Sequence, residues 1–479
     1  MLLSKLFKGA PDIDILQLSV DSRVPMKNAI FFCLDGIKYN GHDYIDEAIK
    51  NGAKVIVHNR EVPKRNDALM IRVPDVKQVM NKVANIFYNY PNQNVNNYIV
   101  SGNYGRSSVS SFIYYYLNRI GVLCGYIGIL GIKYKEVSLK SSFPTMNALD
   151  NLRILHKMKN NGVQNCTFEA SSSSLNLQKL DTVVPNTFVY TCTNEQSSEY
   201  QTNDYYQNLK DYFSTFSSDT KVLLNIDDIS YQHLKTYVNN HVTYGTNEQA
   251  NYRIKEISLG PRGLSFKLVH NNNTYVVNNR LQGVGNVYNL TAAIVALSEN
   301  GYDINDIISK LQSFGFVEGV MERVDDQYNV IVDCAYDLNC VEDVLKYVKL
   351  INQNNKSIGV IGINYTDSDK RIEKIMNLCE KYLDIIILTE DETLQGETMS
   401  ILSRCDKYTN SVRVIHSPFR SIAIENAIEI MNSNDTCIIL GKGNENFLQM
   451  GLGKEFYHGD SYYAKKFINK RRSEENEIS

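Results

Sequence analysis

Tyr98-Ile99-Val100-Ser101-Gly102-Asn103-Tyr104-Gly105-Arg106-Ser107-Ser108 is the stretch on which the fold turns. An apolar strand runs into a loop bracketed by two glycines, and a helix begins directly behind it. Val109, Phe112, Ile113, Tyr116, Leu117 and Ile120 follow at the spacing of one helix face. Strand, glycine loop and helix together aim backbone N–H groups and the positive end of the helix dipole at one point, which is the geometry of a phosphate cradle. A P-loop places Gly-Lys-Ser/Thr here, with the lysine as a mobile charge on the terminal phosphates and the hydroxyl on Mg²⁺. In this chain the pair is Arg106-Ser107. The hydroxyl is kept, and the positive charge sits on a bulkier, planar group that does not replace an ammonium one for one. Gly102, Gly105, Arg106, Ser107 and Ser108 are the candidate phosphate-binding residues. A helix start capped by serine, with glycines serving only a turn, fits the same letters.

Totals narrow the field. A chain of 479 residues suggests about three domains, and 43% hydrophobic residues suffice for ordinary cores. A net charge of -3 gives no general basic surface for nucleic acid. Nine scattered cysteines without a CxxC pair read as reduced thiols. No run approaches the roughly 18 apolar residues of a membrane span, and the first residues lack a signal-peptide pattern. The expectation is a cytoplasmic protein that binds no nucleic acid. Tryptophan is absent and tyrosine abundant, at 32 residues, and no function follows from that.

Residues 1–95 read as a small α/β domain. Its strands are Ala29–Leu34 and Val55–Val57, with a helix over Tyr44–Asn51 ended by Gly52 and an amphipathic helix over 76–90. Pro91 and the run Asn92–Asn97 read as a linker. Residues 96–316 form a second domain opened by the phosphate loop, with strands at Cys166–Ala170, Thr187–Tyr190 and Lys221–Asn225. Arg253–Asn279 alternates around turn signals and reads as antiparallel hairpins, and a helix over Val287–Ser298 closes the domain. Residues 317–479 alternate strand and helix, with strands at Val330–Val332, Ile358–Ile361, Ile385–Leu388, Val412–Ile415 and Cys437–Leu440. That is a parallel, doubly wound sheet. Lys470–Ser479 reads as a charged, frayed tail.

Glu169 sits at a strand end beside the phosphate loop, a place suited to Mg²⁺, although a lone strand-end carboxylate is more often solvated. Asp333 ends a strand at the edge where doubly wound sheets bind ligands, or caps the next helix. Gly441-Lys442-Gly443-Asn444-Glu445 is a second glycine-bearing loop at that edge. His42 has no ligand-spaced partner and reads as structural, and Asp227-Asp228 reads as a turn.

In order, these pieces resemble the Mur ligase family, and its MurE branch, which adds the third amino acid to UDP-N-acetylmuramoyl-dipeptide in peptidoglycan synthesis. The resemblance runs over nearly the whole chain. Asp21-Ser22-Arg23 and Gly36…Gly41-His42-Asp43-Tyr44-Ile45…Ala48…Gly52-Ala53 look like the family's nucleotide-sugar domain. The glycine loop, Glu169-Ala170-Ser171-Ser172, Asn225-Ile226-Asp227-Asp228 and Asn286-Val287-Tyr288-Asn289 look like its middle domain. Gly319-Val320-Met321-Glu322-Arg323, Asp333-Cys334-Ala335-Tyr336 and Gly441–Glu445 look like its last. The fold implied is α/β in three domains: a nucleotide-sugar domain, a central P-loop-like ATPase domain and a C-terminal Rossmann-like domain. The activity implied is ATP-dependent amide formation through an acyl phosphate. The resemblance carries Ser107 and Glu169 to Mg²⁺ and Arg106 to the phosphates. It puts Asn286 and Asn289 near adenine and Asp333 near the ribose. Ser22 and Arg23 would face the uridine nucleotide, Ser172 and Lys179 the muramoyl side, and Arg371 and Glu445 the incoming amino acid. Lys210 would match the lysine that the family carbamylates as a metal ligand, though its local spacing is off by one residue.

Departures cluster at the chemistry. The loop has Tyr104 and Arg106 where the family has Asn and Lys. Ser-Ser-His is Ser171-Ser172-Ser173, and the segment Thr193–Tyr200 has no histidine. Gly-Arg-Met-Glu is Gly319-Val320-Met321-Glu322, and Tyr-Ala-His is Cys334-Ala335-Tyr336. Asp-Asn-Pro-Arg is Asp391-Glu392-Thr393-Leu394, and Gly-His-Glu is Gly443-Asn444-Glu445. The resemblance therefore implies either a ligase taking ATP, Mg²⁺, a nucleotide-sugar peptide and an amino acid, or a catalytically impaired relative. The impaired relative would keep nucleotide binding and act by regulation or scaffolding, with another Mur ligase or a cell-wall protein as partner.

Overall fold

Apolar runs without alternation become strands covered on both faces, and such strands organise both halves of the chain. The computed structural model describes residues 1–36, 40–63, 65–139, 146–171, 174–175, 179–193, 205–335, 337–352, 355–393, 397–409, 412–450 and 453–478. The expectations for Ser172, Ser173, the segment 194–200, Tyr336 and Leu394 lie outside these residues. Two compact units divide the chain, Met1–Thr243 and Tyr244–Ser479.

The first unit opens with a parallel sheet in the order β1 (Gln17–Ser19), β2 (Ala29–Phe32), β3 (Ala53–His58) and β4 (Leu69–Arg72). Helix α1 (Ile45–Lys50) connects β2 to β3, and α2 (Val76–Phe87) follows β4. Helix α2 starts where the Asp75 side chain accepts the Gln78 N–H at 2.9 Å. A second sheet runs β11 (Lys221–Asn225), β10 (Thr187–Tyr190), β5 (Asn96–Ser101), β9 (Asn165–Ala170), β6 (Cys124–Gly128), β7 (Gly131–Tyr134) and β8 (Val137–Leu139). Its first five strands are parallel, and β7 and β8 add as antiparallel hairpins. Helix α3 (Arg106–Arg119) buries Val109, Phe112, Ile113, Tyr116 and Leu117, the face read from the sequence. Helix α4 (Ala148–Asn160) lies in two cores at once. Ala148, Leu149 and Leu152 pack with the first sheet, and Leu155 and Met158 with the second. Helix α5 (Tyr205–Phe213) precedes β11.

The asparagine run is a correction. Asn96 and Asn97 were expected in a linker, yet they begin β5. Asn97 is fully buried, its N–H donates to the Asn186 side chain at 2.8 Å, and its amide donates to Val184 O at 3.3 Å. Long-range partners satisfy a polar residue that local propensity assigns to a loop.

In the second unit, β12 (Val242–Gly245) pairs with β13 (Tyr252–Gly260) at Tyr244 and Gly245, and β13, β14 (Gly263–His270) and β15 (Asn273–Asn279) form the expected antiparallel hairpins. Helices α6 (Gly285–Ser298) and α7 (Ile304–Leu311) follow. The larger sheet runs β16 (Glu322–Arg323), β17 (Asn329–Asp333), β22 (Thr436–Leu440), β18 (Ser357–Ile363), β19 (Ile385–Glu390) and β21 (Arg413–His416). All but β16 are parallel. Helices α8 (Leu338–Asn352) and α9 (Asp369–Tyr382) fill one core beside the sheet, and α10 (Arg420–Ile430) and α11 (Asp460–Ile478) fill another. This is the doubly wound arrangement read from the alternation. Tyr347 of α8 donates to Gly260 O at 3.1 Å, which joins the hairpins to this sheet. A small sheet of β20 (Glu392–Thr393), β23 (Phe447–Met450) and β24 (Gly453–Phe456) completes the unit.

The tail is a second correction. Lys470–Ile478 continues α11 instead of fraying. Arg471 donates to Ile428 O at 2.6 Å and Met431 O at 2.5 Å, and Arg472 pairs with Asp325 at 2.7 Å. Arg471 thus takes up the carbonyls left over at the C-terminal end of α10.

Candidate functional site

The glycine loop lies between β5 and α3, at the carboxyl end of a strand flanked on both sides by parallel neighbours, β9 and β10. Gly102 has φ +125°, and a Cβ there would lie 2.9 Å from Cys192 N. Only glycine lets the chain leave β5 so close to its neighbour. Gly105, at φ 80°, is the N-cap of α3. Its side chain cannot cap, so the first-turn amides at Arg106, Ser107 and Ser108 stay available for an anion. The serine-capped alternative is therefore not what forms.

The Arg106 guanidinium turns back over the loop and donates to Gly102 O and, at 3.1 Å, to Asn103 O. Its Nε is buried and has no partner among the described residues. Beneath the loop, Glu169 pairs in register with Val100 and is 1% exposed. Burial pushes its carboxyl up from the usual range, opposed by hydrogen bonds from Tyr126, Ser107 and the Ile129 N–H and by the Arg106 charge. Sequence reasoning passed over Tyr126, because a tyrosine in an apolar strand reads as core. The only trace is its place in Gly125-Tyr126-Ile127-Gly128, next to a glycine that leaves room for it.

Ser107 and Glu169 present hard oxygen donors, the kind Mg²⁺ takes. Among the described residues no group of three His, Cys, Asp or Glu side chains forms a cage. An ion here would share these donors with water and phosphate oxygens, which is how Mg²⁺ is usually held. Lys210 lies on α5. It is exposed there, while its neighbour Leu209 is the residue buried in the core.

A cavity of about 400 Å³ in the same unit is lined by Asp35, Asn59, Asp75, Lys77, Asn147 and Lys179, among others. The start of α2 and the start of α4 both reach it, so two positive helix ends and two lysines face one space. Burial pulls both lysines below their ordinary range. Lys179 and Lys77 thus share one pocket with Asp35 and Asp75, and Lys77 is a residue the sequence reading missed. Ser22 and Arg23 do not line it. The Ser22 hydroxyl donates to Glu47 at 2.5 Å, and exposed Arg23 pairs with Asp21 at 2.7 Å. His42 is held by Asn40 at 2.8 Å and sits 3.7 Å from Asp35.

In the second unit, Asn286 donates to Gln282 O at 2.7 Å and Asn289 to the Asn286 side chain at 3.3 Å, both on the first turns of α6. Asp333, at the end of β17, accepts the N–H groups of Met321 and Ala335, each at 2.7 Å, and burial lifts its carboxyl to about 6. Both of its oxygens hold backbone, Met321 being in the left-handed region at φ 45°. Beyond β22, Lys442 is 2% exposed and pairs with Asp391 at 2.9 Å and Glu445 at 3.0 Å. Under that loop Arg420 and Asp460 form a fully buried pair with two 2.8 Å hydrogen bonds. Arg371 pairs with Asp367 at 2.7 Å. The unit thus gathers Lys442, Asp391, Glu445 and Arg420 at one edge of the sheet, of which the sequence reading gave a role only to Glu445.

Comparison with known proteins agrees with this geometry. The Mur ligase middle domain matches residues 100–297, and the Mur ligase family catalytic domain matches residues 14–88. A UDP-N-acetylmuramyl-tripeptide synthetase 2 of Oceanobacillus iheyensis is 28% identical over 95% of this chain and 94% of its own length. A UDP-N-acetylmuramoyl-L-alanyl-D-glutamate–2,6-diaminopimelate ligase of Clostridioides difficile is 29% identical over 97% of both. Among solved structures, a ligase of the latter name superposes with a TM-score of 0.72 at 21% identity, covering 98% of this chain and 99% of that one. A MurF ligase of Thermotoga maritima in complex with ADP gives 0.66 at 14% identity, covering 96% and 98%. With two of the family's domains matched in order, relatives aligned nearly end to end and the fold shared, the chain belongs to the Mur ligase family.

Proposed function

We propose that this chain is an ATP-dependent carboxylate–amine ligase that extends a UDP-N-acetylmuramoyl-peptide by one amino acid in the cytoplasm. The observation that carries the reading is the Ser107–Glu169 contact, buried beneath a glycine loop that opens a helix and carries Arg106. The names of the relatives supply the substrate class. In this reading residues 1–95 and the lysine-lined cavity take the nucleotide sugar. Residues 96–316 take ATP, and residues 317–479 take the amino acid.

Transfer of a phosphoryl group to a carboxylate and attack by an amine ask the protein mainly for positioning and fixed charge. The first-turn amides of α3 hold phosphate oxygens, and Arg106 leaves the loop carbonyls to meet them. Ser107 and Glu169 are the residues that would hold Mg²⁺. When bound, that ion neutralises charge on the phosphates. Asn286 and Asn289 are assigned to adenine and Asp333 to the ribose side. Lys179 and Ser172 are assigned to the muramoyl side, Ser22 and Arg23 to the uridine nucleotide, and Arg371 and Glu445 to the amino acid.

The test is calorimetric titration with Mg-ATP, followed by phosphate release with a UDP-muramoyl-dipeptide and candidate amino acids. Wild type should bind saturably, and Arg106→Ala should lose binding. Removing one such positioned charge costs about 10²–10³ in rate. Binding without acceptor-dependent turnover would refute the ligase and leave a nucleotide-binding protein with a regulatory or scaffolding role. No binding at millimolar ATP would refute the phosphate cradle itself.

A further inference from the structure

Tyr126 lies on β6, in register with Thr167 of the adjacent β9, and Glu169 is two residues further along the same face. The strand position on β6 beside Glu169 is Gly128. A Cβ at Gly128 would collide with the Glu169 carboxylate and lie 2.6 Å from the Tyr126 hydroxyl. The gap left by this glycine is what the tyrosine uses. Its ring leans along the strand, past Gly128, and its hydroxyl donates to Glu169 Oε1. Tyr114 of α3 packs edge-on against that ring, with centroids 6.1 Å apart. Tyr126 itself is 1% exposed, so the phenol is fixed by packing.

A fully buried carboxylate needs donors, and their directions decide how it is turned. Glu169 receives Tyr126 on one oxygen, and it also takes the Ser107 hydroxyl proton and the Ile129 N–H. A serine hydroxyl can offer its oxygen lone pairs to a cation only while its proton points elsewhere. Glu169 gives that proton a destination.

We propose that Tyr126 is a positioning residue for a divalent cation: by holding Glu169 Oε1 it keeps the carboxylate turned to accept the Ser107 proton, which leaves Ser107 Oγ directed at the cation. The inference rests on the reading of the loop as a metal–nucleotide site. It adds a residue that touches neither nucleotide nor metal, and it explains why Gly128 carries no side chain.

The test uses the full chain, with Mn²⁺ as the probe, followed by electron paramagnetic resonance in the presence of saturating ADP. ADP affinity in EDTA is measured separately. Groups that orient metal ligands typically cost about 10–100-fold in metal affinity when removed. Tyr126→Phe keeps the ring and removes only the hydroxyl, so Mn²⁺ should bind about 10–100-fold more weakly while metal-free ADP binding stays within about twofold. Gly128→Ala, which pushes a methyl between the two side chains, should shift Mn²⁺ affinity in the same direction. A role in packing alone would not separate the two readouts. Unchanged Mn²⁺ affinity in Tyr126→Phe overturns the inference, as does an equal loss of metal-free ADP binding. If wild type binds neither ADP nor Mn²⁺, the loop reading falls and takes the inference with it.

Discussion

Replacing Asp460 with asparagine tests what holds the second unit's ligand edge in place. Asp460 opens α11 and meets Arg420 of α10 through two hydrogen bonds of 2.8 Å, with both side chains fully buried. The guanidinium also donates to Leu440 O at 2.8 Å, and the Tyr457 hydroxyl donates to Asp460 at 2.7 Å. Gly362 and Gly441 close over it, and a Cβ at Gly362 would come within 2.7 Å of the Arg420 nitrogen. No water reaches this charge, so an amide in place of the carboxylate leaves an arginine buried and unpaired. Breaking a buried pair on one side costs about 3–5 kcal/mol. For a unit of this size that corresponds to a fall of roughly 6–20 °C in the midpoint of its transition. Scanning calorimetry reads that transition, and near-ultraviolet dichroism of the tyrosines follows the packing. Removing both charges in Arg420→Met/Asp460→Leu should recover most of the loss, because two apolar side chains owe each other no hydrogen bonds. A midpoint within about 2 °C of wild type for Asp460→Asn would refute the reasoning, as would a double variant less stable than the single one.

Asp333 gives a pH signature. Its carboxyl stands at about 6 in the folded chain against 3.8 otherwise. Below pH 4 it is protonated in both states and contributes nothing. Between 4 and 6 the unfolded chain ionises first, so this group removes about 3 kcal/mol of stability as pH rises. Asp333→Asn lacks that slope, so the urea midpoints of wild type and variant should change their separation between pH 4 and pH 6. A constant separation would contradict the burial argument. Lys210→Ala should leave Mg-ATP affinity within about twofold, since its side chain is exposed on α5; a tenfold loss by calorimetry would place that lysine at the site after all.

Much of the architecture was legible because it is encoded locally. The face of α3, the hairpins of β13–β15 and the five parallel strands of the last sheet follow from periods of two and 3.6 residues and from turn chemistry. Two errors share one cause. Asn96 and Asn97 look like linker residues, and Lys470–Arg472 look like a tail, because their partners are distant in sequence: Asn186 and Val184 for the former, Ile428, Met431 and Asp325 for the latter.

The site divides in the same way. The glycine loop between a strand and a helix, and Glu169 at a strand end, could be placed in advance, since both are read from consecutive residues. Lys210 was named from a family pattern, and the structure adds that it is exposed beside the buried Leu209. Ser22 was named the same way, and the structure adds that its hydroxyl donates to Glu47. By itself the sequence determined many of the strands and helices, their order, and the glycine loop between β5 and α3, because those depend on neighbours within one or two turns of chain. Only the tertiary structure decided that Tyr126 reaches Glu169 across the space left by Gly128, that Lys77 and Lys179 share one cavity, and that Arg420 is sealed against Asp460. Each of these joins residues from different strands or helices, and burial sets both which partner is available and what it costs to go without one.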